Sequence, residues 1–333
     1  MDNLTHTLTG IALSQAGLNR RTRFATLALI LGSNAPDVDI VSRFLGSTTY
    51  LEYHRGLTHS LVGLAGLALA LTALIYFPGR RARPKPSAPP LDARWLFLIC
   101  CIALLCHLLL DFTNAYGVRP FLPFSGRWYA WDLMPIIDPL LLLVLAAGLA
   151  LPFLFRLVSE ELGAHSTGYR RGAVLALAGM ALLWGVRDIN HRRVLAILGS
   201  NNYGDETALR VGAFPTFNPF SWTAVIETDS AYHVTTASAL ASGVAADRTE
   251  VFHKPEPSPA LETALRTRVG RVFSNFARFP WAEVDEDPDG YEVRIRDLRF
   301  GQGSAGAFQA TIDLDRNLRL QDETFSFMGE PHR

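Results

Sequence analysis

The sequence predicts an all-α polytopic membrane helical domain followed by a soluble α+β domain, and three observations carry that expectation. Of the 333 residues, 49% are hydrophobic and the mean hydropathy is +0.16, more apolar than an ordinary soluble enzyme. The apolar residues concentrate in four runs, 58–77, 96–116, 137–158 and 172–187. At a rise of about 1.5 Å per residue, each spans or nearly spans a hydrocarbon core about 30 Å thick. Beyond 190 the chain instead mixes charge, Gly, Pro and alternating hydrophobics, as soluble domains do. The expected domains are therefore 1–190 and 191–333.

Two shorter apolar segments, 5–18 and 24–35, precede the first span and flank Asn19-Arg20-Arg21-Thr22-Arg23. Each reaches only about 20 Å as a helix, so a hairpin is expected rather than two spans. The loop 79–94 carries Arg80, Arg81, Arg83, Lys85 and Arg94, and the positive-inside rule makes it cytoplasmic. Arg156, Arg170 and Arg171 come two spans later, on the same side. The opposite face then holds 36–57, 117–136 and the C-terminal domain. A multi-pass protein of the bacterial inner (cytoplasmic) membrane is expected, with its amino terminus retained, because no basic n-region or cleavage site marks a signal peptide.

In the C-terminal half, alternation within 222–234, 290–300 and 307–320 predicts strands, and 259–279 predicts one intervening helix. His233 and His253 stand alone among charges and read as ordinary surface histidines. The formal net charge is zero, so specific nucleic-acid binding is not expected. Cys100, Cys101 and Cys106 share one apolar run without a CxxC pair and read as small buried residues.

The chemistry gathers in the first half. His107 and Asp111 stand at i and i+4, which puts both on one helix face with Cβ atoms about 6 Å apart. Ionisable groups at membrane depth persist when paired, wet or coordinating, so the two read either as a helix–helix hydrogen bond or as metal ligands. Asp37 and Asp39 follow a helix-stopping Pro36 and read as turn residues or as further ligands. His54, Arg55 and His59 lie at the mouth of the first span, and His6 lies in the short hairpin. Four histidines and three aspartates on one membrane face form a candidate divalent-metal site. Its nitrogen and oxygen donors suit zinc foremost, and also manganese or iron. Seven candidates exceed one tetrahedral ion, so one to three ions are expected, an arrangement suited to hydrolysis. Asp138 before Pro139 reads as a helix N-cap. Asp132 reads as a further ligand or a partner of Arg127, and Thr113 and Asn114 as groups orienting the ligands. Trp128, Tyr129 and Trp131 suit the headgroup interface.

The ordered set LTHTLTG, APDVD, HRGLTHS and HLLLDFTNAYG resembles the YdjM-like family of LexA-regulated, metal-dependent hydrolases of the inner membrane, over about residues 1–190. More distantly it resembles the zinc-dependent phospholipase C and P1 nuclease superfamily. The resemblance implies His6, Asp37, His54, His59, His107 and Asp111 as ligands, with Asp39 as ligand or support. Those soluble enzymes add their amino terminus and late His or Glu residues, for which this sequence shows no marked counterpart.

The expectation is a membrane-bound hydrolase of a phosphodiester or lipid headgroup, in which metal activates water, Asp39 assists and Arg55 holds an anionic oxygen. Membrane lipid is the expected partner, and a protein partner of the C-terminal domain is left open. Two other readings compete. Transport of metal or protons would need a polar path, yet 61–77 and 96–105 hold no charged group. A non-catalytic organiser would use metal only to fix the helices.

Overall fold

The structure is a computed structural model and describes residues 1–161, 169–241, 249–300 and 308–327, with the backbone alone at 153–161. It has the expected architecture of membrane-length helices followed by an α+β domain of antiparallel sheets. The chain divides into two compact units.

The first unit comprises Met1–Asp39 and Arg55–Asp188. Its helices are α1 (Asn3–Gln15), α2 (Ala25–Gly32), α4 (Leu61–Arg81), α5 (Ala93–Phe112), α6 (Pro139–Glu161) and most of α7 (Tyr169–Ser200), while α3 (Ser47–Tyr53) belongs to the second unit. Among the described residues three helices, α4, α5 and α7, are long and apolar enough to cross a membrane. The remaining expected run, 137–158, falls on α6, whose described apolar part is Pro139–Pro152. Of the expected basic return at 156–171, residues 162–168 lie outside the described residues.

Helix starts follow the capping chemistry of the sequence. The Asp2 side chain accepts from Thr5 N at 2.9 Å, Ser60 from Gly63 N at 3.0 Å, Asp92 from Arg94 N at 2.8 Å, and Asp138 from Leu141 N at 2.8 Å. The core between α2, α4 and α5 is built from Leu29, Leu64, Leu96, Ile99 and Leu104. Leu69, Leu74, Phe77, Leu98 and Leu105 stay exposed on α4 and α5, as side chains facing lipid do. Gly32 sets the approach of α2 to α5, since a Cβ there would meet the Ala103 side chain at 2.7 Å. That approach brings the carbonyl of Ser33 onto α5.

The second unit comprises Ile40–His54 and Ile189–Arg333. It opens with a short hairpin, β1 (Asn202–Tyr203) and β2 (Glu206–Thr207). One antiparallel sheet follows the chain in order, β3 (Arg210–Pro215), β4 (Ser221–Glu227), β5 (Ala231–Ser238) and β6 (Glu250–His253), with Val225 opposite Val234. The other has the order β10-β9-β8-β7, built from β7 (Pro280–Asp287), β8 (Gly290–Asp297), β9 (Gln309–Asp315) and β10 (Leu320–Ser326), with Val293 opposite Ile312. The helix expected at 259–279 is two, α8 (Pro259–Arg266) and α9 (Arg268–Phe276). Thr267 breaks it by capping α9, its hydroxyl accepting from Gly270 N at 3.1 Å. Only glycine fits at 270, because a Cβ would sit 2.0 Å from the carbonyl oxygen of Ala264. The segment Ser47–Tyr53 joins this unit through Ser47 Oγ, which donates to Phe325 O at 2.5 Å, and Glu52, which accepts from Arg268 at 3.0 Å.

Candidate metal centre

Three pieces of the first unit deliver four ligand atoms to one point. Asp37 comes from a 3-10 segment, Ala35–Leu45, that begins three residues after α2. His59 ends the 3-10 turn Leu57–His59 just before α4. His107 and Asp111 come from the last turns of α5, where the i, i+4 spacing brings His107 Nε2 to 3.5 Å from Asp111 Oδ2. The basic loop joins the far ends of α4 and α5, so the cluster sits at the end of this helix pair away from that loop.

The separations suit one small cation. His59 Nε2 and His107 Nε2 are 3.1 Å apart. His59 Nε2 lies 3.5 Å from Asp37 Oδ1 and 3.3 Å from Asp111 Oδ2, and His107 Nε2 lies 3.6 Å from Asp37 Oδ1. Ligand atoms about 2.1 Å from an ion in tetrahedral array stand about 3.4 Å from one another. Burial is nearly complete: the side chains of His59 and His107 are 0% exposed and that of Asp111 1%, against 20% for Asp37.

Surrounding groups fix which nitrogen faces the centre. His107 Nδ1 donates to Ser33 O at 2.8 Å, leaving the Nε2 lone pair inward. Behind His59, Nδ1 lies 3.0 Å from Thr58 Oγ1 and 3.3 Å from Asp39 Oδ2. Asp39 also accepts from Arg55 N at 2.8 Å and Thr58 Oγ1 at 3.2 Å. Its place is thus behind a ligand. Asp111 Oδ2 is buried and takes no hydrogen bond, the orphaned atom expected of a metal-binding carboxylate. Burial alone would lower the pKa of His59, but the facing carboxylates of Asp111, Asp37 and Asp39 outweigh it and raise it to about 10. A proton on His59 or a metal ion would offset the negative charge of these carboxylates. Two imidazoles and two carboxylates can hold a divalent ion there.

The other oxygen of Asp111 faces a second group. Oδ1 accepts from Arg55 Nη2 at 2.9 Å and from the Met1 amine, and lies 3.4 Å from His6 Nε2. His6 is fully buried, stacks on His107 with centroids 3.9 Å apart, and makes no hydrogen bond through either ring nitrogen. Burial first, and the neighbouring His107 second, lower its pKa to about 4, so its ring is neutral.

Of the residues singled out in the sequence, Asp37, His59, His107 and Asp111 converge, His6 and Arg55 flank Asp111, and Asp39 supports His59. Arg55, expected to hold an anionic oxygen, donates to Asp111 and to Gly117 O at 3.3 Å. His54 is not in the four-ligand group; it belongs to the second unit, where its ring stacks on Tyr50 at 4.6 Å. Asp132 is also outside the group. Thr113 and Asn114 bind backbone rather than ligands, through Leu110 O and Met134 O. Asp138 is the expected N-cap and is also ion-paired with Arg187 at 2.6 Å, both side chains fully buried. The sequence reading did not place the Met1 amine, although the resembled enzymes use their amino terminus, nor the Ser33 carbonyl, a backbone group without a side-chain signature.

Membrane-length helices and a buried ligand cluster define a membrane-associated protein with a metal-binding site. Residues 1–194 match the family described as YdjM inner membrane protein, and the chain belongs to that family. Residues 259–332 match the YfhP C-terminal alpha/beta plait domain. A Bacillus subtilis (strain 168) protein, described as uncharacterized protein YfhP, is 26% identical, over 96% of this chain and 93% of that one. No solved structure matches.

Proposed function

We propose that the protein is a membrane-bound, metal-dependent hydrolase acting on a phosphodiester or lipid headgroup at the outer face of the bacterial inner membrane. The observation that carries this reading is the convergence of four ligand atoms, all within 4.8 Å of one another, on a buried point whose one more open edge is Asp37. Zinc fits the two-nitrogen, two-oxygen donor set. A further ion beside Asp111 Oδ1 and the neutral ring of His6, as expected for a set of one to three ions, would have to replace the hydrogen bonds that this oxygen accepts from Arg55 and Met1. The distant likeness to zinc-dependent phospholipase C and P1 nuclease supports the phosphodiester class by analogy.

A bound divalent ion would supply Lewis acidity and lower the pKa of a water towards neutrality. The chain's own residues prepare the site for it. Ser33 and Asp39 hold the two imidazoles with Nε2 inward, and Arg55 holds the Asp111 carboxylate. Asp37 marks the side from which water and substrate enter. The outer-face assignment rests on the basic loop at the opposite end of α4 and α5.

One observation favours a structural metal instead: the group offers four protein ligands, the number that structural zinc sites use. Metal analysis of purified wild type and His107→Ala, each assayed against phosphodiesters and phospholipids, decides between the two. Metal with metal-dependent hydrolysis supports the hydrolase. Metal without turnover of any of these substrates leaves the structural role, and no metal in the wild type removes both.

A further inference from the structure

The loop that follows the metal-site helix leads from Asp111 to an exposed aromatic tip. Its base is closed by a pair of backbone hydrogen bonds between Val118 and Tyr129, at 2.8 and 2.9 Å. Next to that base, Gly117 O accepts from Arg55, whose guanidinium also holds Asp111. At the other end, Pro120 O accepts from the backbone N of Leu61 at 2.9 Å, and Leu61 is the first residue of α4. The tip therefore stands at the level where a membrane-crossing helix begins.

The composition of that tip is unusual for a loop in water. Phe124 is 86% exposed and Phe121 45%, held in a turn by hydrogen bonds from the backbone N of Phe124 and Ser125 to Phe121 O at 2.9 and 3.0 Å. Behind them, the Arg119 guanidinium lies over Trp128 at 4.4 Å and that of Arg127 over Tyr129 at 5.4 Å. Cations backed by Trp and Tyr, with bare aromatics ahead of them, match the order of a lipid leaflet from phosphate to acyl chain. The Leu61 and Val62 side chains beside the tip are about half exposed, continuing the apolar surface onto α4. Exposed apolar patches mark interaction sites, and the continuity of this one with a membrane span favours lipid as what covers it.

The geometry points to insertion of the Pro120–Gly126 tip into the lipid interface, with Phe121 and Phe124 among the acyl chains and Arg119 and Arg127 at the phosphates. The metal centre then faces amphiphiles held in the bilayer, and its substrate arrives sideways from the leaflet rather than from water. Insertion stands on the membrane spans alone, whereas substrate presentation rests on the hydrolytic reading above.

The test uses full-length protein in nanodiscs, with Cys100, Cys101 and Cys106 replaced by alanine and metal content checked against the wild type. A bimane fluorophore is placed at Phe124→Cys and, as a control, at Asn317→Cys on an exposed turn of the C-terminal unit. Lipids carrying a nitroxide near the headgroup are expected to quench the probe at 124 at least about twofold, while aqueous iodide quenches only the one at 317. Iodide quenching at 124 equal to that at 317, with no lipid quenching, overturns insertion. In the Phe121→Ser/Phe124→Ser double variant, metal content should hold and vesicle phospholipid hydrolysis should fall about tenfold, with a water-soluble phosphodiester unaffected. Equal loss on both substrates, or on neither, overturns presentation from the leaflet. Lipid quenching at 124 in a protein that hydrolyses nothing refutes the hydrolase and leaves the insertion standing.

Discussion

Among the described residues of the helical unit are two buried charged clusters, and they are built differently. At Arg187 and Asp138 the charges answer each other: Nη2 meets Oδ2 at 2.6 Å, Oδ1 caps α6 through Leu141 N, and Nη1 donates to Leu133 O at 3.3 Å. Around Asp111 three carboxylates, Asp37, Asp39 and Asp111, surround His59, and Asp111 Oδ2 takes no hydrogen bond. Buried charge by itself therefore does not identify a site. What separates the two is that one pairs a single acid with a single base, whereas the other gathers three carboxylates on His59 and leaves a carboxylate oxygen without a hydrogen bond.

The largest expected effect strikes the open cluster. His59→Ala, His107→Ala and Asp111→Ala should each weaken metal binding by more than the roughly 10–100-fold that changes behind a ligand cost. Elemental analysis of the detergent-purified variants reads this directly. Full metal content in all three would erase the distinction between the clusters and leave the histidines as helix glue.

The closed cluster should fail in the opposite way. Asp138→Asn keeps a good N-cap for α6 but strands the Arg187 charge, a loss of about 3–5 kcal/mol in stability. Arg187→Met strands Asp138 to a similar degree, and the double variant should recover most of either loss because no buried charge remains unpaired. Unfolding midpoints in micelles measure these differences, and metal content should be unchanged throughout. Metal loss in Asp138→Asn would mean that the two clusters are not independent.

Asp39→Asn comes next. Asp39 lies on the Nδ1 side of His59, so the substitution should weaken metal affinity by about 10–100-fold without abolishing it. Complete metal loss would make Asp39 a direct ligand, as the sequence allowed. Competition with a chelator of known affinity distinguishes the two outcomes.

Much of this contrast was legible in the sequence, for reasons that differ from residue to residue. The apolar runs marked the helices because length and composition are local properties, and the short hairpin expected at 5–18 and 24–35 is α1 and α2. The break at Thr267 escaped because it depends on a cap and on the close approach of Gly270 to Ala264. Strands β3 and β7 escaped because Gly and Pro in one and acidic residues in the other dilute the alternation that pairing with neighbours restores. In the site, the i, i+4 pair was readable from spacing. The tautomer of His107 was not, since it depends on a carbonyl 74 residues away, and neither was the Met1 amine, 110 residues from Asp111. Contacts of such range leave no period in the chain.

The smallest expected effect falls at His54, where sequence order and three-dimensional placement part company. Motif spacing made it as strong a candidate as His59, five residues on. In the structure it is the C-cap residue of α3, its backbone N donating to Tyr50 O at 2.7 Å and its ring stacked on Tyr50. His54→Ala should therefore cost the stacking, about 0.5–1.5 kcal/mol, and leave metal content equal to the wild type and to the surface control His233→Ala. The variant is informative because its null result is specific: it separates the histidines that converge from one that merely neighbours them in sequence. Should His54→Ala lose metal as His107→Ala does, the four-ligand set would be incomplete, and the ion would have to be shared with a residue from the segment between Asp39 and Arg55.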